Sequence, residues 1–117
     1  MDVLSIILQV ILGLGFIMFG LMKFKSKQMV EGFKYFGYPV WFRVFTGLVE
    51  LISAGLVISG IWNEKLAAWG GLLIVATMIG AIITHIKIKD SVKNMMMPIV
   101  LLILGLAVLA LNFEFLI

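Results

Sequence analysis

Four long apolar segments dominate the pattern of hydrophobic and polar positions along the chain. They cover residues 3–22, 44–63, 66–86 and 95–113. Because an α-helix rises about 1.5 Å per residue, each segment is long enough to cross a hydrocarbon layer of about 30 Å. Three of the segments contain no Asp, Glu, Lys or Arg, and the second contains only Glu50. The pattern therefore predicts an all-α membrane protein with four transmembrane helices.

A different hydrophobic pattern occupies the connection between the first two segments. Met29, Val30, Phe33 and Phe36 recur at helical intervals, and polar residues lie on the opposite face. This spacing predicts a short amphipathic helix at about residues 27–36 that lies on the membrane interface. Such a helix either only anchors the chain or closes the mouth of a pocket within the bundle.

The composition supports the membrane assignment and restricts the chemistry. Of the 117 residues, 63% are hydrophobic and 13% are charged, against about 45–50% and about 25% in an average soluble domain. Little chain remains outside the four segments, so we expect residues 1–117 to form a single antiparallel four-helix transmembrane domain. The chain has no cysteine and one histidine, so we expect neither thiol chemistry nor a metal site.

The basic residues are concentrated in two of the connections. Five of the nine lie in residues 23–43 and three in residues 87–94, whereas the third connection carries only Lys65. The positive-inside rule then places both basic connections in the cytoplasm and both termini outside the cell membrane. The short amphipathic helix would lie on the cytoplasmic side. Topology accounts for the basic residues, and no aromatic–basic platform accompanies them, so we expect no binding of nucleic acid.

Glu50 is the main candidate for a functional residue. An acidic side chain inside an apolar segment costs roughly 2.5–3.5 kcal/mol on insertion scales, and it marks a functional site unless a partner explains it. Antiparallel packing brings Lys23 and His85 into the same half of the membrane as Glu50. We therefore predict that these three residues bind a ligand. Each also has a simpler interpretation, in which Lys23 anchors at the headgroups, Glu50 bonds a neighbouring helix and His85 is an ordinary interfacial residue.

Small and polar residues share helix faces with the three candidates and predict the supporting wall of a pocket. These residues are Gly20, Gly47, Ser53, Thr77, Ala81 and Thr84. Small residues at helical spacing also allow helices to approach closely. The same stripes therefore fit packing seams, either within the bundle or between copies in a homo-oligomer.

Several short motifs, in their order and spacing, resemble the DoxX-like family of small four-helix integral membrane proteins. They are Gly20-Leu21-Met22-Lys23-Phe24, Glu31-Gly32-Phe33, Phe36-Gly37-Tyr38-Pro39, Gly47 with Glu50, Ala67-Ala68-Trp69, and Gly80-Ala81 leading to His85. The resemblance covers nearly the whole chain, although the last segment matches only in hydrophobicity and an opening proline. The positions that match the polar motif of the family are Lys23, Glu50 and His85.

The resemblance implies more about location than about activity. The wider family is named for a membrane component of an archaeal thiosulfate:quinone oxidoreductase, and relatives are associated with oxidative-stress complexes. It therefore implies a membrane subunit close to a quinone, or one that binds lipid. Quinone is the cofactor that this resemblance makes possible, and it does not imply that the chain itself performs the redox step.

Three functions remain open from the sequence. The first is a subunit of a redox complex that binds a quinone or a similar lipophile and receives electrons from a partner protein. The second is a lipid-binding or assembly protein without chemistry. The third is a small oligomeric transporter that uses Glu50 as a coupling site. We assign no catalytic residue, and whether the protein is an enzyme stays open.

Overall fold

Five α-helices make up almost all of the structure, a computed structural model that describes residues 3–116. They are α1 (Val3–Lys25), α2 (Lys27–Phe36), α3 (Val40–Ser59), α4 (Glu64–Lys87) and α5 (Val92–Asn112). A 3-10 turn follows at Phe113–Phe115. Four of the helices, all except α2, are long and apolar enough to cross a membrane. The predicted all-α fold with four long helices and one short helix is confirmed. The ends of the predicted domain, residues 1, 2 and 117, lie outside the described part.

The ends of α3 differ from those expected from hydrophobicity. The segment was expected at residues 44–63, but the helix begins at Val40, directly after Pro39, which has an extended backbone with φ −72° and ψ 164°. Proline has no N–H to donate and fixes φ, so it starts a helix well and cannot continue one. Trp41 and Phe42 therefore belong to the first turn of α3. Local backbone chemistry, rather than hydropathy, sets these boundaries.

The helix α5 begins earlier than expected. Ser91 precedes it, and the Ser91 hydroxyl accepts a hydrogen bond from the Asn94 backbone N–H at 3.3 Å. Such N-caps satisfy an otherwise unpaired backbone group of the first turn. Pro98, the opening proline of the predicted segment, lies inside this helix because the helix begins at Val92.

A tight turn joins α3 and α4 into an antiparallel hairpin. A Cβ atom placed on Gly60 would lie 2.5 Å from the backbone nitrogen of Ala67, so only glycine permits this approach. Asn63 caps α4, and its side-chain oxygen accepts from the Lys65 backbone N–H at 3.1 Å. The two helices are therefore antiparallel, follow each other in the chain and contact each other in the bundle.

The four long helices pack as two pairs, α1 with α3 and α4 with α5, and α3–α4 contacts join the pairs. Glycine backbones meet within each pair. A Cβ on Gly20 would lie 3.0 Å from the Gly47 carbonyl oxygen, and one on Gly71 would lie 3.2 Å from that of Gly105. Close packing of this kind drives helix association in lipid, where the hydrophobic effect between helices is absent. The buried core between the pairs consists of Leu12, Phe16, Ala54, Val57, Ala67, Ile74, Met78 and Val108.

A buried network of uncharged polar side chains lies at the end of the bundle where α1 begins and α5 ends. The Gln9 amide donates to the Val57 carbonyl at 2.8 Å, and Ser5 donates to Gln9 at 2.7 Å. Asn112 donates to the Ser5 hydroxyl at 2.9 Å. The network thus joins α1 to α3 and α5. Because each of its polar groups has a protein partner, it holds the helices together and needs no ligand.

The outward faces of the four long helices carry exposed apolar side chains, among them Leu14, Met18, Ile52 and Ile103. In a soluble protein an apolar surface of this extent is rare. Facing lipid, the same side chains are in their preferred environment. The protein is therefore embedded in a membrane and contacts its lipids.

Candidate functional site

A cavity of about 940 Å³ opens at the end of the bundle opposite the buried amide network. All five helices contribute to it, and its wall is mostly apolar. Its volume lies at the upper end of the range of about 300–1,000 Å³ that is usual for small-molecule sites. The short helix α2 contributes Met29, Phe33 and Phe36 to the wall. It is thus a wall of the cavity as well as an amphipathic segment.

An ion pair between Lys23 and Glu50 lies on the wall of this cavity. Lys23 Nζ is 2.5 Å from Glu50 Oε1, and the two side chains are only 12% and 2% exposed. Gly47 makes the approach possible, because a Cβ there would lie 3.1 Å from the Lys23 Cβ. Two of the three predicted ligand-binding residues are therefore brought into direct contact. The pairing offsets part of the cost of burying either charge alone.

Arg43 supports the helix turn that carries Lys23. Its guanidinium donates a hydrogen bond to the backbone carbonyl of Lys23. The last carbonyls of a helix have no partner within the helix, and a cation at this end also interacts favourably with the helix dipole. Arg43 thereby joins the beginning of α3 to the end of α1.

His85 lines the same cavity, but its partner is Asp90 rather than Lys23 or Glu50. His85 Nδ1 is 2.8 Å from Asp90 Oδ2. The other carboxylate oxygen of Asp90 accepts from the Asn94 amide at 2.7 Å and from the Ser91 backbone N–H at 2.8 Å. Hydrogen bonds from Asn94, from His85 and from Ser91 hold the pKa of the Asp90 carboxyl below its usual range.

Asp90 was not among the residues predicted from the sequence. It lies in the short α4–α5 connection, where Lys89 has a left-handed backbone with φ 56° and the Asp90 N–H donates to the His85 carbonyl at 2.9 Å. This reversal of the chain brings Asp90 back onto the last turn of α4. The sequence feature that could have indicated a role for Asp90 is the pattern Asp90-Ser91 followed by Asn94, which favours an N-capped helix beginning at this point.

The segment around the end of α2 encloses His85. The Phe36 ring meets the His85 ring edge-on, with centroids 5.7 Å apart. The Tyr38 and Thr84 hydroxyl oxygens are 2.8 Å apart. Because the Thr84 hydroxyl donates to the Gly80 carbonyl, Tyr38 is the donor to Thr84. These contacts hold the α2–α3 connection against α4 beside the cavity.

The predicted supporting residues fall into two groups. Thr77, Ala81 and Thr84 line the cavity. Gly20 and Gly47 lie instead where α1 crosses α3, and Ser53 is buried with its hydroxyl donating to the Val49 carbonyl. Small residues suit both a pocket wall and a packing seam, and the structure assigns the two glycines to the seam and Ser53 to the buried interior outside the cavity wall. Residues 3–116 hold no group of three His, Cys, Asp or Glu side chains that could bind a metal ion.

The chain is similar to known proteins over most of its length, including the residues of the candidate site. The sequence pattern of the DoxX-like family matches residues 7–108. The uncharacterized protein YdgD of Bacillus subtilis is 31% identical over 108 residues, which is 91% of this chain and 95% of that relative. No solved structure matches the chain at a significant level. The part matched by the family contains Lys23, Glu50, His85 and Asp90.

Proposed function

The chain belongs to the DoxX-like family of membrane proteins, and we propose that it is a lipophile-binding membrane subunit whose ligand occupies the cavity. The observation that carries the proposal is the combination of a large apolar cavity with a charged pair, Lys23 and Glu50, on its wall. Binding sites for small molecules are typically apolar with a few polar groups that fix the orientation of the ligand. The cavity has both features.

The candidate ligand is a quinone, which combines an apolar ring and tail with carbonyl oxygens that accept hydrogen bonds. The Lys23 ammonium has three N–H donors, of which Glu50 Oε1 takes one, so it can also donate to a carbonyl oxygen. Glu50 then holds Lys23 in place. A bound quinone would supply reversible two-electron chemistry, and the electrons would come from a partner oxidoreductase. The chain's own residues would bind and orient the ligand.

The second candidate function is a lipid-binding or assembly protein without chemistry. It is supported by the hydrogen bonding of the interior, because every buried side-chain nitrogen and oxygen in residues 3–116 has a partner. A bundle whose polar groups are all satisfied is stable without a ligand. In this alternative, Lys23–Glu50 joins α1 to α3 in the way that the Gln9 network does at the other end.

Replacement of Glu50 by glutamine separates the two functions. The amide keeps the size of the side chain but removes its charge, so Lys23 loses its ionic partner and the polar end of the cavity is rearranged. We expect a neutral lipophile to be enriched with the wild-type protein after purification in mild detergent, and to be largely lost from Glu50→Gln. Mass spectrometry of the extracted small molecules measures this without an assumed ligand.

The matched control is Glu64→Gln, which removes a carboxylate from the first turn of α4, away from the cavity. This variant should keep the lipophile. Equal and unselective lipid in all three preparations would argue against a ligand site at Glu50 and would favour the assembly function.

For the orientation, we propose that the basic connections, residues 23–43 and 87–94, lie in the cytoplasm and that both termini lie outside the cell membrane. Lys23 and Lys25 are in the last turn of α1 and Lys87 is in the last turn of α4. The uneven distribution of basic residues between the two sides supports this orientation through the positive-inside rule.

Single cysteines test the orientation, because the natural chain has none. Ser91 and Asn63 are both exposed N-cap residues, and they lie on opposite sides of the membrane in the proposed orientation. Each cysteine variant therefore loses one helix N-cap, so the two variants are comparable. In intact cells, an impermeant thiol reagent is expected to label Asn63→Cys and to leave Ser91→Cys unlabelled. The reverse pattern would contradict the orientation.

A further inference from the structure

We infer that Asp90 positions His85 as a hydrogen-bond acceptor in the cavity, and that the cavity thereby selects a neutral lipophile that carries a hydroxyl group. This inference rests on the proposed function, because it requires a lipophile in the cavity. It adds the chemical class of the ligand, a hydroxyl-bearing lipophile such as the reduced, quinol form of the candidate quinone, and it gives a role to Asp90.

The first step is the state of the His85 ring. An ionised carboxylate has only acceptors, and the hydrogen bonds from Asn94 and Ser91 to Asp90 favour its ionised form. His85 Nδ1 must therefore be the donor in the 2.8 Å contact with Asp90. In a neutral imidazole whose Nδ1 carries the proton, Nε2 carries the lone pair. Asp90 thus fixes which ring nitrogen can accept.

The second step is the availability of Nε2. Within residues 3–116, Asp90 is the hydrogen-bond partner of the ring, and it engages Nδ1. The side chain is 18% exposed and lines the cavity. The Phe36 ring packs edge-on against it, so the ring is held between Phe36 and Asp90. A fixed acceptor is therefore available to a molecule in the cavity.

The third step is the charge of the lining. Its charged side chains are Lys23, Glu50 and Asp90, together with the titratable His85. The positive charge of Lys23 is compensated by Glu50 at 2.5 Å, and the neutral His85 ring adds no charge beside the Asp90 carboxylate. The described lining therefore offers no excess positive charge. A fatty acid or another anionic lipid would lack a counter-ion, whereas a neutral head group is compatible with this wall.

The ligand class follows from these steps. A phenolic or alcoholic hydroxyl can donate to His85 Nε2, and its apolar body fits the aromatic and aliphatic wall. An ether of the same size has no proton to donate. The cavity should therefore bind a hydroxyl compound more tightly than its methyl ether. A purely hydrophobic pocket would not prefer the hydroxyl compound.

The test compares 4-octylphenol with 4-octylanisole, two neutral probes that differ in the hydroxyl proton and one methyl group. Binding to the full chain in mild detergent is measured by native mass spectrometry. We expect the wild type to prefer the phenol by about three- to tenfold, the effect of one additional hydrogen bond. In Asp90→Asn the amide can donate to Nδ1 and leave the proton on Nε2, so the preference should fall to about one while the anisole still binds.

Two further variants keep the test decisive. His85→Phe retains a ring but removes the acceptor, and it should also abolish the preference. Ser91→Ala removes the hydroxyl that caps α5 but keeps the backbone N–H that bonds Asp90, so the preference should persist. Equal binding of both probes to the wild type, or an unchanged preference in Asp90→Asn, would overturn the inference and leave the proposed function intact. Binding of neither probe would overturn the proposed function as well.

Discussion

Replacement of Glu50 by alanine is expected to destabilise the folded protein by about 3 kcal/mol, since removal of one partner from a buried ion pair leaves an uncompensated charge. Lys23, which is 12% exposed, would lose the carboxylate 2.5 Å away. We expect the lower end of the usual range because Lys23 lies in the last turn of α1, from which a long side chain can extend toward the interface. Unfolding by denaturant in mild detergent measures the loss.

The control for this effect is Glu64→Ala, which removes a carboxylate that forms no salt bridge among the described residues. It should change stability far less. The double variant Lys23→Met/Glu50→Leu replaces both charges with apolar groups, and buried pairs replaced in this way often retain their stability. We expect it to fold as well as the wild type and to lose the bound lipophile. A Glu50→Ala protein as stable as the wild type would contradict the buried ion pair.

The second large effect is expected for Gly60→Ala, which should destabilise the protein by about 2 kcal/mol or more. The new methyl group would lie 2.5 Å from the Ala67 nitrogen and 2.6 Å from its Cα. These are backbone atoms, so the clash cannot be relieved by a rotamer change, and the turn between α3 and α4 must open. Overpacking in well-packed sites typically costs about 1–3 kcal/mol. The midpoint of thermal unfolding in detergent reports the loss.

Gly55→Ala is the matched control, because Gly55 lies in α3, the helix that Gly60 caps, and a Cβ there would meet nothing within 4 Å. Alanine is a better helix former than glycine by about 0.5–1 kcal/mol. We therefore expect this variant to equal or slightly exceed the wild type in stability. Similar behaviour of the two variants would contradict the close approach at Gly60.

Lys23 and Glu50 show how much of the site could be predicted from the sequence. Helical spacing places Gly47 and Glu50 on one face, and the antiparallel order brings the end of the first helix alongside. Together they placed Lys23 in the same half of the bundle as Glu50, and the structure shows that the two side chains are in direct contact. His85 was placed in the correct half of the bundle by the same reasoning. Its partner Asp90 was missed, because that contact depends on the reversal of the chain at Lys89. Lys89 has a left-handed backbone, and a lysine in a sequence does not indicate that conformation.

The supporting residues were only partly assigned from the sequence, for a related reason. Gly20 and Thr77 both fit a pocket wall by size and spacing. Packing decides between them, since Gly20 meets the backbone of α3 and Thr77 faces the cavity. A helix face is readable from periodicity, but the neighbour that covers it is not.

The sequence by itself determined the number of long apolar helices, because the thickness of a hydrocarbon layer fixes how long such a helix must be. It also determined the bounds of α2, where amphipathic spacing runs up to Gly37, which ends the helix with φ 82°. Only the tertiary structure decided the volume of the cavity, the seam between α1 and α3, and the contact of His85 with Asp90. These features depend on distances between residues far apart in the chain or on the exact path of a turn, and neither is encoded in local hydrophobic periodicity.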